Sequence, residues 1–227
     1  MRKITFTPNE YYHIYNHSVE DRKIFLTDID YERFLVSLAI FNDKGSCSQN
    51  PSRFIRNPAL LTKHFSPDNR DRLVDIIVFT LLPNHYHLLV QERKDQGISR
   101  FMHRLSKGYS RYFNLKYKRI GTLWQGNFGA KHIDKEAYLV HIISYIHLNI
   151  LDLFFPKWRE GQIKEWGEAE KKMRKYLWSS YEYYRTNKSK IPFINLITTK
   201  PDWFSEHFPA PKAFEENLKL WSLRNNP

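Results

Sequence analysis

The segment VDIIVFTLL at 74–82 constrains the fold more than any other feature of the sequence. It is apolar at nearly every position, so both faces of a strand built from it must be covered by other parts of the protein. Pro83 and Asn84 then form a tight turn, and YHLLVQE at 86–92 returns as a second strand. The sequence therefore predicts a β-hairpin whose first strand lies centrally in a sheet.

Further elements flank this hairpin on both sides. Aromatic and β-branched residues predict a strand over 11–17, and a helical period of apolar residues begins at Asp28. Downstream, the patterns predict a helix over 98–115, a short strand over 128–133 and a helix over 135–150. The order strand, helix, strand, strand, helix, strand, helix is typical of an α+β, ferredoxin-like split βαβ fold. We therefore expect one antiparallel sheet with helices packed on one face.

Two stretches fall outside this pattern. Residues 43–72 contain three Pro and many polar residues, and we interpret them as an inserted excursion between elements. A charged helix is predicted near 164–177. We expect one domain over 1–185 and a helical or irregular C-terminal extension over 186–227, to which the sequence assigns no role.

Composition limits the classes of partner and compartment. Among 227 residues, 36 Lys and Arg against 24 Asp and Glu give a formal charge of +12, which favours a polyanion, and nucleic acid before a membrane surface. The single cysteine, Cys47, excludes disulfide frameworks and Cys-based zinc sites and points to a reducing compartment. Neither a secretory leader nor a run of about 18 apolar residues is found, so we expect a cytoplasmic protein without a membrane span.

Two histidines stand at the start of the second hairpin strand. His85 and His87 are separated by one residue, so on a strand their imidazoles share a face and can converge on one cation. A pair of half-exposed strand histidines without a ligand role has the same pattern. Two ligands are not a complete metal site, so a further ligand must come from another element.

The helix predicted over 135–150 offers such a ligand. Tyr145 and Asn149 are four residues apart and therefore neighbours on one helical face, with Tyr138 on the same stripe. A phenol and an amide oxygen aimed at two histidines would suit metal-assisted attack on a phosphodiester, with the tyrosine oxygen as nucleophile. Spacing alone equally allows Tyr145 to be an ordinary aromatic residue at the rim of the core.

Four motifs, in the same order along the chain, resemble the IS200-like tyrosine transposases, and most closely their relatives associated with repetitive extragenic palindromes (REP). They are LLPNHYHLLV at 81–90, FNLKYKRIGTLWQGNF at 113–128, SYIHLNI at 144–150 and WSSY at 178–181. The opening YYHIYNHSVEDRKIFLTDIDYERF at 11–34 fits the same family, and the resemblance covers about residues 10–185.

The resemblance implies an HUH endonuclease, which nicks and rejoins single-stranded, hairpin-bearing DNA during transposition. By position, His85, His87 and Asn149 would bind a divalent Mg²⁺ or Mn²⁺ ion, with Asn149 standing where the transposases carry Gln. Tyr145 would form the 5′-phosphotyrosine bond. Ile150 replaces the Pro of the palindrome-associated relatives, a departure expected to extend the helix by a turn. The family contains dimers and monomers, so a homodimer and a monomer both stay open.

Basic and aromatic residues are interleaved between 101 and 135. This segment has eight Lys or Arg, one acidic residue and seven aromatic residues. Cations follow a phosphate backbone, and aromatic faces stack on unpaired bases. For His132 a structural role is an equal alternative. The predicted DNA contacts are Arg104, Lys107, Arg111, Lys118, Arg119, Trp124, Gln125, Lys131 and His132.

Two functions of different classes fit this sequence. The first is an active transposase-type nuclease, and the second is a relative that binds hairpin nucleic acid without cutting it. The presence of Tyr145 and Asn149 together with both histidines favours the enzyme, because a binding module does not need all four. A zinc-dependent hydrolase is disfavoured because no Glu lies close to the histidine pair as a general base.

Overall fold

The computed structural model describes residues 4–45, 50–65 and 70–223. No helix within these ranges is both long enough and apolar enough to cross a membrane. In chain order the elements are β1 (Tyr11–His17), α1 (Asp28–Phe41), α2 (Ser52–Ile55), α3 (Pro58–His64), β2 (Val74–Leu82), β3 (His85–Glu92), α4 (Gly97–Lys116), β4 (Gly129–Ile133), α5 (Glu136–Leu148), α6 (Trp166–Lys175), α7 (Tyr181–Thr186), α8 (Ile194–Ile197), α9 (Asp202–His207) and α10 (Pro211–Leu223).

The strands form one antiparallel sheet in the order β2-β3-β1-β4. This order and the helices that connect the strands confirm the predicted α+β, ferredoxin-like fold. Strand β3 begins at His85, one residue earlier than predicted, because His85 pairs with Leu82 across the hairpin and with His17 of β1. The central pair of strands is therefore β1 and β3.

Strand β2 lies at the edge of this sheet, and the prediction of a central position was wrong. All nine of its residues are nevertheless buried. The C-terminal part of the chain covers the outer edge of β2: Ser180 and Thr199 donate backbone hydrogen bonds to the carbonyls of Phe79 and Ile76, at 3.0 and 2.9 Å. Because this segment covers the edge of β2, the strand needs no charged residues to prevent pairing with another chain. Its sequence can therefore be as apolar as that of a central strand.

Helices cover both faces of the sheet. Helices α1 and α4 pack on one face as predicted, against residues such as Ile14 and Leu88. Helix α5 packs on the opposite face together with α7 and α10, so the expectation that the helices share a single face was wrong. A bulge in β2 directs both Ile77 and Val78 toward this second face, where Leu89 joins them. These apolar residues need a cover, and α5 provides it.

The segments outside the predicted pattern are folded against the core. Within the excursion predicted over 43–72, α2 and α3 bury Phe54 and Leu61. Cys47 lies outside the described residues. Helix α5 ends at Leu148 and continues as a 3₁₀ turn over Asn149–Leu153, where a longer helix was expected. The extension after 186 places α8 in the core beneath α1 and α10 in the core beneath α5, and the proposed boundary at 185 stays a prediction.

The start of α4 leaves no room for a side chain. The backbone N–H groups of Gly97 and Ile98 each donate a 2.9 Å hydrogen bond to the buried carboxylate of Glu92. A Cβ atom added at Gly97 would collide with the carbonyl oxygen of Leu73. This close approach fixes the position of α4 on the sheet.

We expect Gly97→Ala to lower the free energy of unfolding by about 1–3 kcal/mol, the usual cost of overpacking a rigid contact. The measurement is urea denaturation followed by circular dichroism. Gly126→Ala is the matched control, because a Cβ atom at Gly126 meets nothing within 4 Å. Equal stabilities of the two variants would contradict the steric argument.

Candidate active site

A cavity of about 540 Å³ opens between the sheet and α5. It lies on the face that α1 and α4 do not cover. The residues that line it come from β1, β3, β4, α5, α10 and the 3₁₀ turn at Trp158–Glu160, and they bring the predicted histidine and tyrosine motifs together. The lining residues are His13, Tyr15, His17, His87, Lys131, Tyr138, His141, Ile142, Tyr145, Arg159 and Trp221.

Four histidines cluster on the paired strands β1 and β3. His17 pairs with His85, and their rings stack with centroids 4.4 Å apart. Nε2 of His13 lies 2.9 Å from Nδ1 of His87, a hydrogen bond between two buried imidazoles. The rings of His85 and His87 are 5.2 Å apart, and Nδ1 of His85 lies 2.7 Å from Oδ1 of Asn84. The shared face predicted for His85 and His87 is therefore present.

Burial keeps the imidazoles of His13, His85 and His87 neutral. It lowers the pKa of His13 to about 4, with a smaller contribution from the charge of Lys131. Burial, and then the neighbouring His17, lower the pKa of His85 to about 4. Burial and the neighbouring His13 hold the pKa of His87 well below its ordinary value. A neutral imidazole keeps the nitrogen lone pair that a metal ligand requires.

Tyr145 projects from α5 into the same cavity. Its ring centroid lies 5.7 Å from that of His87 and 5.8 Å from that of His13. Tyr138, on the same helical stripe, stacks on His141 at 5.1 Å and accepts a 2.6 Å hydrogen bond from Lys131. Of the two tyrosines, Tyr145 is the one that lies beside the strand histidines His13 and His87.

Asn149 is adjacent to this group, but its side chain is engaged. The residue is 1% exposed, and its Nδ2 donates a 2.7 Å hydrogen bond to the backbone oxygen of Tyr145. Its Oδ1 accepts a 2.8 Å hydrogen bond from Arg159. Within the described residues, no group of three or more His, Cys, Asp and Glu is arranged to hold a metal ion. The role of Asn149 as third ligand stays a prediction.

The predicted DNA contacts are divided between two sides of the protein. Lys131 lines the cavity. Those on α4 lie on the other side of the sheet, where Lys107 and Arg111 are exposed, and Lys118 and Gln125 are exposed on the loop after α4. Arg104 and Arg119 bind the backbone of neighbouring loops. Arg104 donates a 2.7 Å hydrogen bond to the backbone oxygen of Asp43. Arg119 donates one of 2.7 Å to the backbone oxygen of Thr122.

Two of these predicted contacts lie away from the cavity, and their roles in DNA binding stay predictions. Trp124 is only 8% exposed, and its ring packs edge-on against Tyr86 in the core, because the loop that carries it folds back onto α4. His132 alternates with Lys131 along β4 and therefore points away from the cavity, where its Nε2 lies 3.0 Å from a carboxylate oxygen of Glu10.

Among the cavity residues that sequence reasoning missed are His13, His17, Arg159 and Trp221. His13, Tyr15 and His17 are spaced two residues apart in a predicted strand and therefore share one face. This spacing could have indicated a second pair of histidines. Arg159 and Trp221 carry no sequence signal. Trp221 reaches the cavity only because α10 packs on α5, where its Nε1 donates a 2.9 Å hydrogen bond to Nδ1 of His141.

Comparisons with known proteins find a transposase family model and a transposase structure of similar fold. Residues 60–149 match the family model described as "Transposase IS200 like". A structure described as "Structure of the REP associates tyrosine transposase bound to a REP hairpin" is 13% identical, with a TM-score of 0.50, over 84% of this chain and 88% of that chain. A tRNA(His) guanylyltransferase from Saccharomyces cerevisiae, 13% identical, has a TM-score of 0.39 over 90% of this chain and 86% of its own.

No curated protein matches the sequence. The family match nevertheless confirms the predicted resemblance to the IS200-like transposases over the segment that carries the histidine and tyrosine motifs. The structural similarity confirms, at the level of the fold, the likeness to a REP-associated tyrosine transposase.

The buried His13 makes the stability depend on pH. Its pKa is about 4 in the folded protein, whereas an exposed histidine in the unfolded chain has a pKa near 6.5. As the pH falls from about 6.5 to about 4, the unfolded state takes up a proton that the folded state does not, so stability is lost. We expect His13→Gln to reduce the slope of unfolding free energy against pH by about 1.4 kcal/mol per pH unit in this window. Urea denaturation at several pH values, without added metal, measures this slope, and identical slopes would contradict the assignment.

Proposed function

We propose that this chain is a transposase-type, single-strand DNA endonuclease and strand transferase with Tyr145 as its nucleophile. The observation that carries the proposal is the position of Tyr145, which faces His87 and His13 across one cavity. The residues that line this cavity include the cations Lys131 and Arg159 and no carboxylate. Such a charge distribution attracts the phosphodiester backbone of a nucleic acid strand.

The proposed step is a transesterification. The phenolic oxygen of Tyr145 attacks the phosphorus of a DNA phosphodiester, an O–P bond forms, and the bond from phosphorus to the 3′ oxygen breaks. The phenol loses its proton, the 3′ oxygen gains one, and the products are a 5′-phosphotyrosine and a free 3′-hydroxyl. Attack by that hydroxyl, or by that of another strand, reverses the step and rejoins DNA.

The histidine pair suits a divalent ion such as Mg²⁺ or Mn²⁺. Nδ1 of His85 lies beside the side-chain oxygen of Asn84, so Nδ1 carries the proton and Nε2 keeps its lone pair. The contact between Nδ1 of His87 and Nε2 of His13 fixes the orientation of the His87 ring. An ion bound there would polarise a phosphate oxygen. Asn149 would complete the ligand set only by sharing the oxygen that now accepts a hydrogen bond from Arg159.

The proposed substrate is single-stranded DNA that carries a hairpin. The support is the family match and the similar structure, which is described as bound to a REP hairpin. The exposed cations Lys107, Arg111 and Lys118 form a second basic surface beyond the sheet. We propose that this surface contacts the sugar-phosphate backbone outside the cleavage site.

Tyr145→Phe should abolish the covalent DNA adduct while it leaves DNA binding intact, because the change removes one oxygen and little volume. The assay is incubation of hairpin-bearing single strands with Mn²⁺, followed by a denaturing gel. Tyr138→Phe is the matched control on the same helical face and should keep adduct formation within a few-fold of the parent. An adduct that persists in Tyr145→Phe would overturn the assignment, and no adduct in the parent would favour a hairpin-binding protein that does not cut.

His85→Ala should weaken Mn²⁺ binding by at least about tenfold, because loss of even an indirect ligand contact commonly costs this much. Electron paramagnetic resonance of free Mn²⁺ measures the affinity without DNA or catalysis. His132→Ala is the control, since His132 lies on the opposite face of the sheet, paired with Glu10. Equal Mn²⁺ affinities in the parent and His85→Ala would rule out the proposed ligand.

A further inference from the structure

Arg159 lines the cavity beside Tyr145, and the proposed transesterification assigns it no step. It lies in the 3₁₀ turn at Trp158–Glu160, and its guanidinium carbon is 5.9 Å from the ring centroid of Tyr145. It is thus as near to the proposed nucleophile as the histidines are. A cation beside the attacking oxygen is placed where negative charge develops during phosphoryl transfer.

The guanidinium is held from three sides. Both Nη atoms bind the carboxylate of Asp152, and Nη2 also donates a 2.8 Å hydrogen bond to Oδ1 of Asn149. The ring of Trp158 lies 4.5 Å from the guanidinium carbon, and its Nε1 donates a 2.6 Å hydrogen bond to the same Asp152. These contacts fix the side chain before any substrate arrives, which is the condition for an effective electrostatic contact.

Arg159 also stays protonated. Its partial burial acts to lower its pKa, but the hydrogen bond and the charge of Asp152 outweigh burial and hold the pKa above its ordinary value. The contacts described above use three of the five N–H groups of the guanidinium. Tyr145 is a further hydrogen-bond partner of the guanidinium. At least one N–H group is left for a phosphate oxygen, so Arg159 need not leave Asp152 in order to bind one.

We propose that Arg159 is a further catalytic residue, which donates hydrogen bonds to a non-bridging oxygen of the scissile phosphate while Tyr145 attacks. Asp152 is then a positioning residue that acts through Arg159. Arg159 keeps its proton throughout, and the bonds that form and break are those of the transesterification. This inference rests on the proposed function, and it names the group that binds the reacting phosphate.

The second cation of the cavity has a different place. Lys131 lies over the ring of Tyr138, with its Nζ 4.8 Å from the ring centroid, and donates its hydrogen bond to that tyrosine. Tyr138 is two helical turns from Tyr145 along α5. Lys131 therefore suits a neighbouring phosphate of the same strand, and Arg159 suits the one at Tyr145. Loss of Arg159 should therefore lower the rate of adduct formation, whereas loss of Lys131 should lower the affinity for DNA.

The first test compares rates of adduct formation in single turnover with saturating DNA. Arg159→Ala should slow the step by about 10²–10³-fold, as loss of one preorganised donor does elsewhere. Arg159→Lys keeps the charge but loses the planar fork, and should recover part of the rate. Lys131→Ala should mainly weaken DNA affinity.

Arg93→Ala is the matched control for loss of an Arg–Asp pair. Arg93 binds Asp75 with an Nη1–Oδ2 distance of 2.6 Å, and its side chain is 47% exposed against 38% for Arg159. It follows β3 at the end away from His85, outside the cavity. Its rate should equal that of the parent. Added methylguanidinium should restore part of the rate to Arg159→Ala and none to Tyr145→Phe.

The second test needs neither cleavage nor a known recognition sequence. Side-chain NMR signals of ¹⁵N-arginine are followed while the dinucleotide d(TpT) is added to Tyr145→Phe, with the Arg159 signal assigned through Arg159→Lys. The Arg159 signal should shift with d(TpT) and not with its uncharged methylphosphonate analogue, and the Arg93 signal should not move.

The outcomes separate the two proposals. If the parent forms the adduct and Arg159→Ala stays within about threefold of it, the role of Arg159 is overturned and that of Tyr145 stands. If the parent forms no adduct, the proposed function fails, and the d(TpT) shift alone decides whether Arg159 binds phosphate. If Arg159→Ala unfolds, as judged by circular dichroism, Arg159→Lys replaces it in the rate measurement. An unchanged rate in Arg159→Lys, together with an Arg159 signal that d(TpT) does not move in Tyr145→Phe, then overturns the role.

Discussion

The antiparallel pairing of β1 with β3 is the constraint on which the rest of the site depends. Its register sets His17 opposite His85 and Tyr15 opposite His87, so four imidazoles from two distant parts of the chain meet on one face. A shift of one residue in either strand would turn its side chains to the opposite face and disperse the cluster. The hydrogen bond between His13 and His87 links the two strands at the centre of this surface.

The second constraint is that this histidine face is covered at one end and open at the other. Helix α5 packs on Val78 and Leu89 beside the histidines, and its free stripe then presents Tyr145 to them. Helix α10 closes the far wall, held by the hydrogen bonds from Ser144 to Asn217 and from Trp221 to His141. The C-terminal extension is thus part of the wall of the cavity and cannot be removed without opening it.

The charge of the protein is distributed in a way that the net value of +12 does not reveal. Several cations that sequence reasoning assigned to DNA are used in the fold, as with Arg104, whose guanidinium binds the backbone at Asp43. In the cavity itself the cations are Lys131 and Arg159, each beside a tyrosine. A basic composition therefore indicated a polyanionic partner, whereas only packing showed which cations adjoin the reactive groups.

Local pattern was sufficient for most of the elements. The apolar run of β2, the turn at Pro83 and the helical periods gave the strands, the long helices and their order, because burial periodicity and turn chemistry are properties of neighbouring residues. The same reasoning placed His85 and His87 on one face, since alternation along a strand is also local. The motifs added Tyr145, which lies beside His87 in the structure, while its role as nucleophile stays a prediction.

Contacts between residues distant in the chain decided what local pattern could not. The burial of β2 was interpreted as a central position, because an apolar sequence records that a strand is covered but not which segment covers it. Trp124 was assigned to DNA because it lies in a loop bounded by Gly121 and Gly126. The sequence does not reveal that this loop packs on α4, where Trp124 donates a hydrogen bond to the backbone oxygen of Ser106. The sequence thus determined the elements, the fold class and the candidate site residues of the histidine and tyrosine motifs. Tertiary packing alone decided that Arg159 and Trp221 stand beside them, because their neighbours are set by how α5 and the C-terminal segments fold onto the sheet.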